Sequence, residues 1–404
     1  MNRYEIYKET DFEWIGEIPF DWELSRVGKF FNERSVKVDD VSYPPLSVTM
    51  SGIVDQLSDV AKTKDGGNRK LVKKDDFVIN SRSDRKGSSG IAPRDGSVSL
   101  INIVLEPHGL YPQFIEHLFK SYYFKEEYFR NGKGIHWDLW TTRWDQFKNI
   151  NIPIPSIEEQ KLIAHYLDKK TEQIDRLIDK TQKKIELLKE QRTALINQCV
   201  TKGLDPNVEM KDSGIEWIGE IPRGWDIIKV KFLGDIRSGD GITNTELSDD
   251  GEIPVYGGNG IVGYYDEFNS SHTVIIIGRV GEKCGNIHLV YEKCWISDNS
   301  LILTLRDDTN YPWVSICLNS RDLNKIRNQS SQPLITSTQV KNESIPFPSE
   351  NQRKQISNYL DQETLKIDQM VDTQTKRIEL LKEYRQSLIS SVVTGKVLVT
   401  EDMI

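Results

Sequence analysis

Residues 13–19 read Glu-Trp-Ile-Gly-Glu-Ile-Pro, and residues 216–222 repeat the same seven amino acids. A tryptophan follows each copy of this opening motif at the same distance, Trp22 after the first and Trp225 after the second. The two motifs are 203 residues apart, and so are the two tryptophans. A chain of 404 residues is long enough for about two to three domains, each with its own core. The repeat therefore predicts two halves built on one common frame.

A second repeated signal, the closing motif, ends each half. Residues 152–156 read Ile-Pro-Ile-Pro-Ser, and residues 345–349 read Ile-Pro-Phe-Pro-Ser, at a shift of 193 residues. Because the two shifts differ, the material between the opening and closing motifs is ten residues longer in the first half. Between these motifs the two halves show little sequence similarity. The pattern predicts one architecture that carries two different inserts.

A long helix is predicted after each closing motif. A serine occupies the N-cap position, and a Glu or Gln three residues later completes a capping box, in which each side chain bonds the other residue's backbone N–H. The two pairs are Ser156 with Glu159 and Ser349 with Gln352. Neither segment contains Pro or Gly before Gly203 or Gly395, where a helix should end. About 44 residues at 1.5 Å each predict a rod of roughly 65 Å.

Apolar residues in both helices recur in steps of four and three, which is the spacing of a coiled-coil seam. An arginine interrupts both seams at the same position. The seam positions are Ile174, Ile178, Thr181, Ile185, Leu188, Arg192, Leu195 and Cys199, and then Ile367, Val371, Gln374, Ile378, Leu381, Arg385, Leu388 and Val392. Such a stripe needs a partner helix. The matching registers favour antiparallel pairing within the chain, with the globular parts at opposite ends; the alternative is two separate helices that each recruit other proteins.

Both inserts have the pattern of mixed α and β structure with many short strands. A strand, a basic loop, a second strand and a helix follow each other in each insert. The predicted strands are residues 76–80, 98–105, 273–277 and 300–305, and the predicted helices are residues 112–130 and 313–327.

The predicted fold class is therefore α+β, with two globular domains, two long antiparallel coiled-coil helices and an internal pseudo-twofold duplication. Its predicted divisions are a first globular domain at 1–155, a first long helix at 156–203, a second globular domain at 204–348, a second long helix at 349–396 and a C-terminal tail at 397–404.

The overall charge conceals a local excess of basic residues. A net charge of −8 and a pI near 5.5 speak against a nucleic-acid partner when taken alone. Residues 62–94, however, contain ten basic and four acidic residues, so this window carries +6 and the rest of the chain −14. The second insert has no such window, because residues 234–342 contain nine basic and fourteen acidic residues.

Other bulk features exclude several classes of protein. No stretch approaches the ~20 apolar residues of a membrane span, and the acidic first residues do not resemble a secretory signal, so we expect a cytoplasmic protein. The cysteines form no CxxC pair, which argues against a zinc site and a disulfide framework. We expect buried or inert thiols at Cys199, Cys284, Cys294 and Cys317.

Two Gly-containing loops after predicted strands have the composition of nucleic-acid contacts. Residues 81–90 are rich in Arg, Ser and Gly, and residues 278–286 hold the corresponding place in the second insert. Guanidinium groups bind phosphates or guanine edges, hydroxyls bind either, and glycines allow close backbone approach. A second cluster precedes each closing motif, at residues 132–143 and 328–339, where aromatic, amide and hydroxyl side chains are dense. The alternative for the loops is a pair of tight turns on a solvated face.

No catalytic constellation is found in the sequence. Residues 43–45, Tyr-Pro-Pro, do not match the Asn/Asp-Pro-Pro-aromatic motif that holds an adenine amino group for methyl transfer. There is no nucleotide-binding P-loop motif, and the six histidines lack metal-ligand spacing. We therefore expect no enzyme activity and no metal site in the chain itself.

The duplicated frame resembles the specificity (S) subunit of type I restriction-modification systems. The opening motif, the closing motif before a long helix and the divergent inserts carry this resemblance over nearly the whole chain. Residues 255–264 and 297–300 also resemble short sequence motifs that are common in the family.

The resemblance implies a non-catalytic subunit that directs partner enzymes to DNA. Each insert would be a target recognition domain that reads one half of a bipartite, asymmetric DNA site, and the helices would set the gap between the half-sites. Two methyltransferase subunits would bind around the helices, and restriction and translocase subunits would join them. The chain would have no cofactor of its own, and S-adenosylmethionine, ATP and Mg would belong to the partners.

The candidate DNA contacts lie in the loops, in the basic window and before the closing motifs. They are Lys70, Arg82, Arg85, Lys86, Ser88, Arg94, Lys133, Arg143, Asn259, Arg279, Lys283, Asn286, Arg327, Gln332, Thr336 and Thr338. The rival hypothesis is a coiled-coil scaffold whose globular ends bind proteins.

Overall fold

The computed structural model describes residues 2–57, 67–134, 140–248, 250–282, 284–327 and 333–404. The chain divides into two compact units. Unit 1 comprises residues 1–182 and 376–404, and unit 2 comprises residues 183–375. Each unit thus contains one insert and a part of both long helices. Among the described residues, no helix is long and apolar enough to cross a membrane.

Unit 1 consists of short strands, three short helices, the first part of one long helix and the last part of the other. The strands are β1 (Tyr7–Glu9), β2 (Glu17–Pro19), β3 (Glu23–Arg26), β4 (Phe31–Glu33), β5 (Lys37–Val38), β6 (Leu46–Thr49), β7 (Gly52–Asp55), β8 (Arg69–Val72), β9 (Phe77–Asn80), β10 (Ser89–Ile91), β11 (Gly96–Val98), β12 (Asn102–Pro107) and β13 (Asn151–Ile154). The helices are α1 (Pro112–Lys120), α2 (Tyr122–Arg130), α3 (Trp144–Phe147) and α4 (Ile157–Lys202), which continues into unit 2.

Unit 2 has a similar inventory. Its strands are β14 (Met210–Asp212), β15 (Glu220–Pro222), β16 (Asp226–Lys229), β17 (Gly234–Ser238), β18 (Ile253–Gly257), β19 (Gly260–Tyr265), β20 (Val274–Gly278), β21 (Ile287–Val290), β22 (Trp295–Ile296), β23 (Ser300–Leu305) and β24 (Ser344–Phe347). Its helices are α5 (Tyr311–Arg321), α6 (Ser337–Asn342) and the first part of α7 (Glu350–Val393), which ends in unit 1.

The two units share one sheet topology. The central sheet of unit 1 has the order β10-β9-β12-β4, and that of unit 2 has the order β21-β20-β23-β17, with all neighbours antiparallel. In both units the strand after the opening motif pairs with the strand of the closing motif, as β3 with β13 and as β16 with β24. The predicted order of strand, loop, strand and helix is confirmed in both inserts, as is the α+β class.

Each central sheet separates two apolar cores. In unit 1, Phe77 and Ile79 pack with the apolar face of α1, whereas Val78 faces the core formed with the strands around β6 and β8. In unit 2, Ile275 and Ile277 pack against α5, and Ile276 faces the opposite core. Side chains alternate between the two faces of a strand, and a sheet covered on both faces needs strands that are apolar throughout. This explains the continuous apolar runs in the sequence.

The long helices pair antiparallel within each unit. In unit 1, Arg385 of α7 donates to Asp175 of α4 over 3.2 Å. In unit 2, Arg192 of α4 donates to Asp368 of α7 over 2.9 Å. The two ion pairs are equivalent under the 193-residue shift. Leu388 packs in the core of unit 1 with Ile174, so apolar seam positions flank the pair. The arginine that interrupts each seam is therefore paired with an aspartate on the facing helix.

Several predicted elements are divided in the structure. The predicted helix at 112–130 breaks at Ser121, whose hydroxyl accepts the Phe124 N–H and caps α2. The predicted strand at 98–105 is two strands separated by a turn. The predicted helix at 313–327 ends at Arg321, because Asp322 takes a left-handed conformation with φ of 53°. Sequence periodicity does not detect such local breaks, which depend on single capping residues.

The two predicted capping boxes are each only half formed. At α4, Glu159 N donates to Ser156 Oγ over 3.3 Å. The Glu159 carboxylate does not reach back to Ser156, since it accepts from Trp22 Nε1 over 3.1 Å. At α7, Ser349 N donates to Gln352 Oε1 over 3.3 Å.

The thiol predictions are confirmed. The four cysteines are free and buried. Burial raises the pKa of Cys199 and of Cys294 to about 11, so these thiols stay protonated near neutral pH.

Candidate nucleic-acid interface

In both units a loop connects an inner strand of the central sheet to the edge strand that pairs with it. Residues 81–88 connect β9 to β10, and residues 279–286 connect β20 to β21. Equivalent registers, with Ile79 opposite Ile103 and Ile277 opposite Leu301, place both loops at the same end of the central sheet.

A second segment lies beside each loop. In unit 1, Thr142 N donates to Ser81 O over 2.9 Å, and in unit 2, Ile335 N donates to Arg279 O over 2.9 Å. Thr142 and Ile335 are related by the shift of 193 residues. The structure therefore brings together the two clusters that the sequence analysis singled out in each insert. The parts of these clusters at residues 135–139 and 328–332 lie outside the described residues.

The loop of unit 1 exposes two arginines. Arg82 is exposed, and its side chain forms no hydrogen bond or ion pair with another described residue. Arg85 is also exposed and lies 3.8 Å from Asp84. An exposed ion pair at this distance contributes little. Both guanidinium groups are therefore available to an external anion or base edge.

The remaining polar groups of this loop hold it in shape. Asn80 Oδ1 accepts from Arg82 N over 3.0 Å. Lys86 donates to Glu126 over 2.7 Å and lies 4.6 Å above the ring of Phe129. Trp140 stacks on the same ring, with 5.4 Å between the ring centroids. Ser88 is buried, so in this structure it supports the loop and does not face solvent.

The other basic candidates of unit 1 lie in three separate places. Lys70 is held by Glu33 over 3.2 Å and by the carbonyl of Asn102 over 2.9 Å. Arg94 pairs with Asp55. Lys133 and Arg143 border the companion segment, where Lys133 pairs through its backbone with Thr141 and Arg143 precedes α3. Of these four, only Lys133 and Arg143 lie near the loop.

In unit 2 the arginine of the loop is anchored. Arg279 is half-buried, its backbone N–H donates to Asn299 O over 2.9 Å, and its Nη1 donates to Ser238 Oγ over 3.2 Å. Its Nε is buried and has no partner among the described residues. The bond to Ser238 restrains this guanidinium at one edge. Ser238 carries no motif, which is why sequence reasoning missed it.

The backbone conformation of this loop requires glycine at two positions. Gly281 and Gly285 have φ of 85° and 93°, a region that L side chains rarely adopt. A Cβ at Gly285 would lie 2.6 Å from the backbone N of Asn324. Asn324 in turn donates to the carbonyl of Cys284 over 2.9 Å. The loop is thus closed against the segment that follows α5.

A cluster of amide and imidazole groups adjoins this loop. Asn286 Nδ2 donates to Asn259 Oδ1 over 2.7 Å, which joins the loop to the turn between β18 and β19. His288 follows on β21, and burial lowers the pKa of its imidazole, so it is neutral near pH 7. Its Nε2 has no partner among the described residues. No metal-ligand spacing surrounds His288 in the sequence, so no motif pointed to it.

The last candidates of unit 2 have mixed environments. Arg327 Nη1 donates to Glu282 O over 3.4 Å. Thr336 caps α6, where its hydroxyl accepts from Gln339 N over 3.2 Å. Thr338 is exposed on α6. Lys283 and Gln332 lie outside the described residues. Among the described residues, no group of His, Cys, Asp and Glu is arranged to hold a metal ion.

Comparison with known proteins identifies the family. Residues 21–188 and 222–381 match the type I restriction modification DNA specificity domain, once in each half. The matched ranges cover most of the chain. The chain therefore belongs to the type I restriction-modification DNA specificity family, and its role is that of the DNA specificity subunit, without catalytic activity of its own. The scaffold hypothesis is not favoured.

Individual relatives agree with this assignment. The chain is 24% identical over 436 aligned positions to the type I restriction enzyme MjaVIII specificity subunit of Methanocaldococcus jannaschii, with 97% of both chains covered. It is 27% identical over 140 positions to the EcoprrI specificity subunit of Escherichia coli, with 33% of this chain and 35% of that one covered.

Solved structures show the same fold. A chain from a study of complex assembly and conformational transition in a type I restriction-modification system superposes with a TM-score of 0.73 at 15% identity, covering 94% of this chain and 99% of that one. The HsdS subunit of Thermoanaerobacter tengcongensis superposes with a TM-score of 0.51 at 18% identity, covering 96% and 100%.

Proposed function

We propose that each unit reads one half of a bipartite, asymmetric DNA site through the loop at the end of its central sheet. The observation that carries this proposal is the equivalence of the two loops in position and their difference in side chains. Arg82 and Arg85 in unit 1 correspond to a single anchored Arg279 in unit 2. Equal placement with unequal chemistry is what reading two different half-sites requires.

The exposed arginines of unit 1 fit phosphates or guanine edges, and the surroundings of Arg279 fit direct base reading. Arginine binds guanine O6 and N7 with two parallel hydrogen bonds, which requires a guanidinium held in a fixed orientation. Asn259 and Asn286 supply amide groups beside it, and amides pair with adenine edges. Lys133, Arg143, Thr338 and Arg327 complete the proposed surfaces around the loops.

We also propose where two methyltransferase subunits dock. Each unit exposes a pair of apolar residues on the paired helices at equivalent positions, Leu177 with Leu380 in unit 1 and Met370 with Leu187 in unit 2. Solvated helix positions are normally polar. Because the same pair recurs at a shift of 193 residues, one kind of partner fits both places. S-adenosylmethionine would bind to these partners, and ATP and Mg to restriction subunits that join them.

DNA binding by the chain together with its methyltransferase tests the reading function. A pool of random duplexes should yield one bipartite sequence, and the binding constant should fall as salt rises, because bound phosphates release counterions. The double variant Arg82→Ala with Arg85→Ala should weaken binding and flatten the salt slope by about one to two, if both arginines contact phosphates. Absence of any selected sequence would contradict the proposal.

Native mass spectrometry of the same mixture tests the docking surfaces. Leu177→Glu with Leu380→Glu should remove one of two methyltransferases and leave the other bound to unit 2. Gln182→Glu, an exposed position on another side of α4, is the matched control and should leave both bound. Retention of both subunits by the double variant would exclude this face as the docking surface.

A further inference from the structure

The junction of the opening motif with the long helices differs between the two units. In unit 1, the Tyr4 ring packs edge-on against Trp22 at 5.9 Å between centroids, and the Tyr4 hydroxyl donates to Glu159. Glu159 also accepts from Trp22 Nε1. The Glu159 carboxylate thus accepts hydrogen bonds from both aromatic side chains, and Trp22 is only 1% exposed.

The corresponding place in unit 2 lacks the tyrosine and the carboxylate. Under the two shifts of the repeat, Trp22 corresponds to Trp225, Glu159 to Gln352 and Tyr4 to Asn207. Trp225 is 2% exposed, and its Nε1 has no hydrogen-bond partner among the described residues. Asn207 is exposed.

A cavity occupies the place that Tyr4 fills in unit 1. It has a volume of about 130 Å³ and is open to solvent on one side. Its walls include Trp225, Pro222 and Ile356, and the segment of Leu204, Asp205 and Val208 also borders it. The frame around it is the same in both units, because Gly203 and Gly395 both have φ near 75° and lie against the ring of the respective tryptophan. A cavity of about 150 Å³ holds a benzene ring. The space therefore suits one aromatic ring.

We propose that this cavity binds the phenol ring of a tyrosine that a partner polypeptide presents. Unit 1 shows the geometry of such a complex, with its own Tyr4 as the occupant. Apolar walls from Pro222 and Ile356 would cover the ring. Gln352 holds the position of Glu159, but its Oε1 accepts from Ser349 in this structure, so it would have to exchange that bond for one from the phenol hydroxyl. The rim residues Lys202, Gln352 and Gln355 are exposed, so the polypeptide that carries the tyrosine can remain outside.

Titration of the full chain with N-acetyl-tyrosinamide tests the proposal. The chain would be labelled with ¹⁵N at its tryptophan indoles, and the resonance of Trp225 would be assigned with Trp225→Phe. We expect saturable shifts of this resonance with a Kd on the order of 1 mM, a usual affinity for a ligand of this size. N-acetyl-phenylalaninamide should bind at least about fivefold more weakly, because it lacks the hydroxyl.

Two variants at Asn207 separate the site from nonspecific binding. Asn207→Tyr should lower the affinity for N-acetyl-tyrosinamide about tenfold or more, since the new side chain would fill the cavity as Tyr4 does. Asn207→Ala is the control and should leave the affinity unchanged.

Three results would overturn the proposal. They are a Trp225 resonance that does not shift, equal affinities of wild type and Asn207→Tyr, and binding of p-cresol without binding of N-acetyl-tyrosinamide. The last result would show that the cavity accepts a free phenol but not a tyrosine within a polypeptide.

Discussion

The loop at residues 81–88 of unit 1 and the loop at residues 279–286 of unit 2 occupy the same place but are built differently. Arg82 and Arg85 are exposed and weakly held, whereas Arg279 is half-buried and bonded to Ser238. Exposed cations without strong partners suit phosphates, and restrained guanidinium groups suit base edges. One frame thus supports a loop with exposed charges in one unit and a loop with a restrained arginine in the other.

The frame that carries the loops, in contrast, is the same in both units. Both units keep an opening motif beside a closing motif, a glycine packed on a tryptophan and an arginine–aspartate pair between the helices. These features fix how each insert is attached, so they are alike where the loops are not. Variants at equivalent positions of the two units can therefore test which features the units share and which they do not.

The largest effect is expected at the glycines of the loop in unit 2. Gly285→Ala should destabilise the chain by about 3 kcal/mol, because it combines a left-handed backbone with a clash against the backbone of Asn324. Urea unfolding would measure the loss. Gly281→Ala is the matched control: its φ is similar, but nothing lies within 4 Å of the added Cβ, so about 1 kcal/mol is expected. Equal losses would show that the packing against Asn324 is unimportant.

The anchored arginine should matter for sequence choice. Arg279→Ala should weaken specific DNA binding by about 1 to 3 kcal/mol and relax the preference at one base pair, if Arg279 reads a guanine. Arg279→Lys should behave almost as badly, because a lysine cannot form the bidentate pair. Competition binding with single-base variants of the site would measure both. Uniform weakening on all sequences would instead assign Arg279 to a phosphate.

Arg85→Ala in unit 1 is the counterpart of that experiment. If Arg85 touches phosphate, affinity should fall equally on all sequences, and if it reads a guanine, specific binding should fall by about 1 to 3 kcal/mol. The same competition assay distinguishes the two. No effect of either kind would remove Arg85 from the interface.

A smaller difference is expected between the two tryptophans of the frame. Trp22→Phe and Trp225→Phe remove similar apolar volume, but only Trp22 Nε1 has a partner, the Glu159 carboxylate. Trp22→Phe should therefore cost about 1 to 2 kcal/mol more than Trp225→Phe in urea unfolding. A larger loss at Trp225 would contradict the unequal junctions of the two units.

The smallest effect is expected at the paired helices. Arg192 and Asp368 are both partly exposed, so a double-mutant cycle should give a coupling of about 0.5 kcal/mol that salt weakens. The cycle at Arg385 and Asp175 should give a similar value. A coupling above about 2 kcal/mol in one unit alone would show that the helix pair is not equivalent at its two ends.

Much of the fold could be predicted because the repeat is long and the periodicities are regular. The long helices, their antiparallel pairing and the order of strand, loop, strand and helix followed from spacing and capping residues. The breaks at Ser121 and Asp322 could not be predicted, since a single residue decides each of them. The seam arginines were recognised as interruptions, but their aspartate partners are distant in sequence.

The candidate site could be predicted only in part. The loops were found from their composition, and the structure brings each loop beside the companion cluster. The support of Arg279 by Ser238 and the packing of Lys86 on Phe129 depend on contacts between distant residues. Ser88 was predicted to contact DNA because it lies in a basic loop. Its side chain is buried, which composition alone could not reveal.

We propose above all that the two loops read different half-sites independently of each other. Sequencing of methylated bases in cells that express the chain with its methyltransferase would give both half-sites and the gap between them in one experiment. We expect two unlike half-sites, with Arg279→Ala altering the preference in one half and the variant Arg82→Ala with Arg85→Ala affecting only the other half. A palindromic site, or a change in both halves caused by Arg279→Ala, would contradict it.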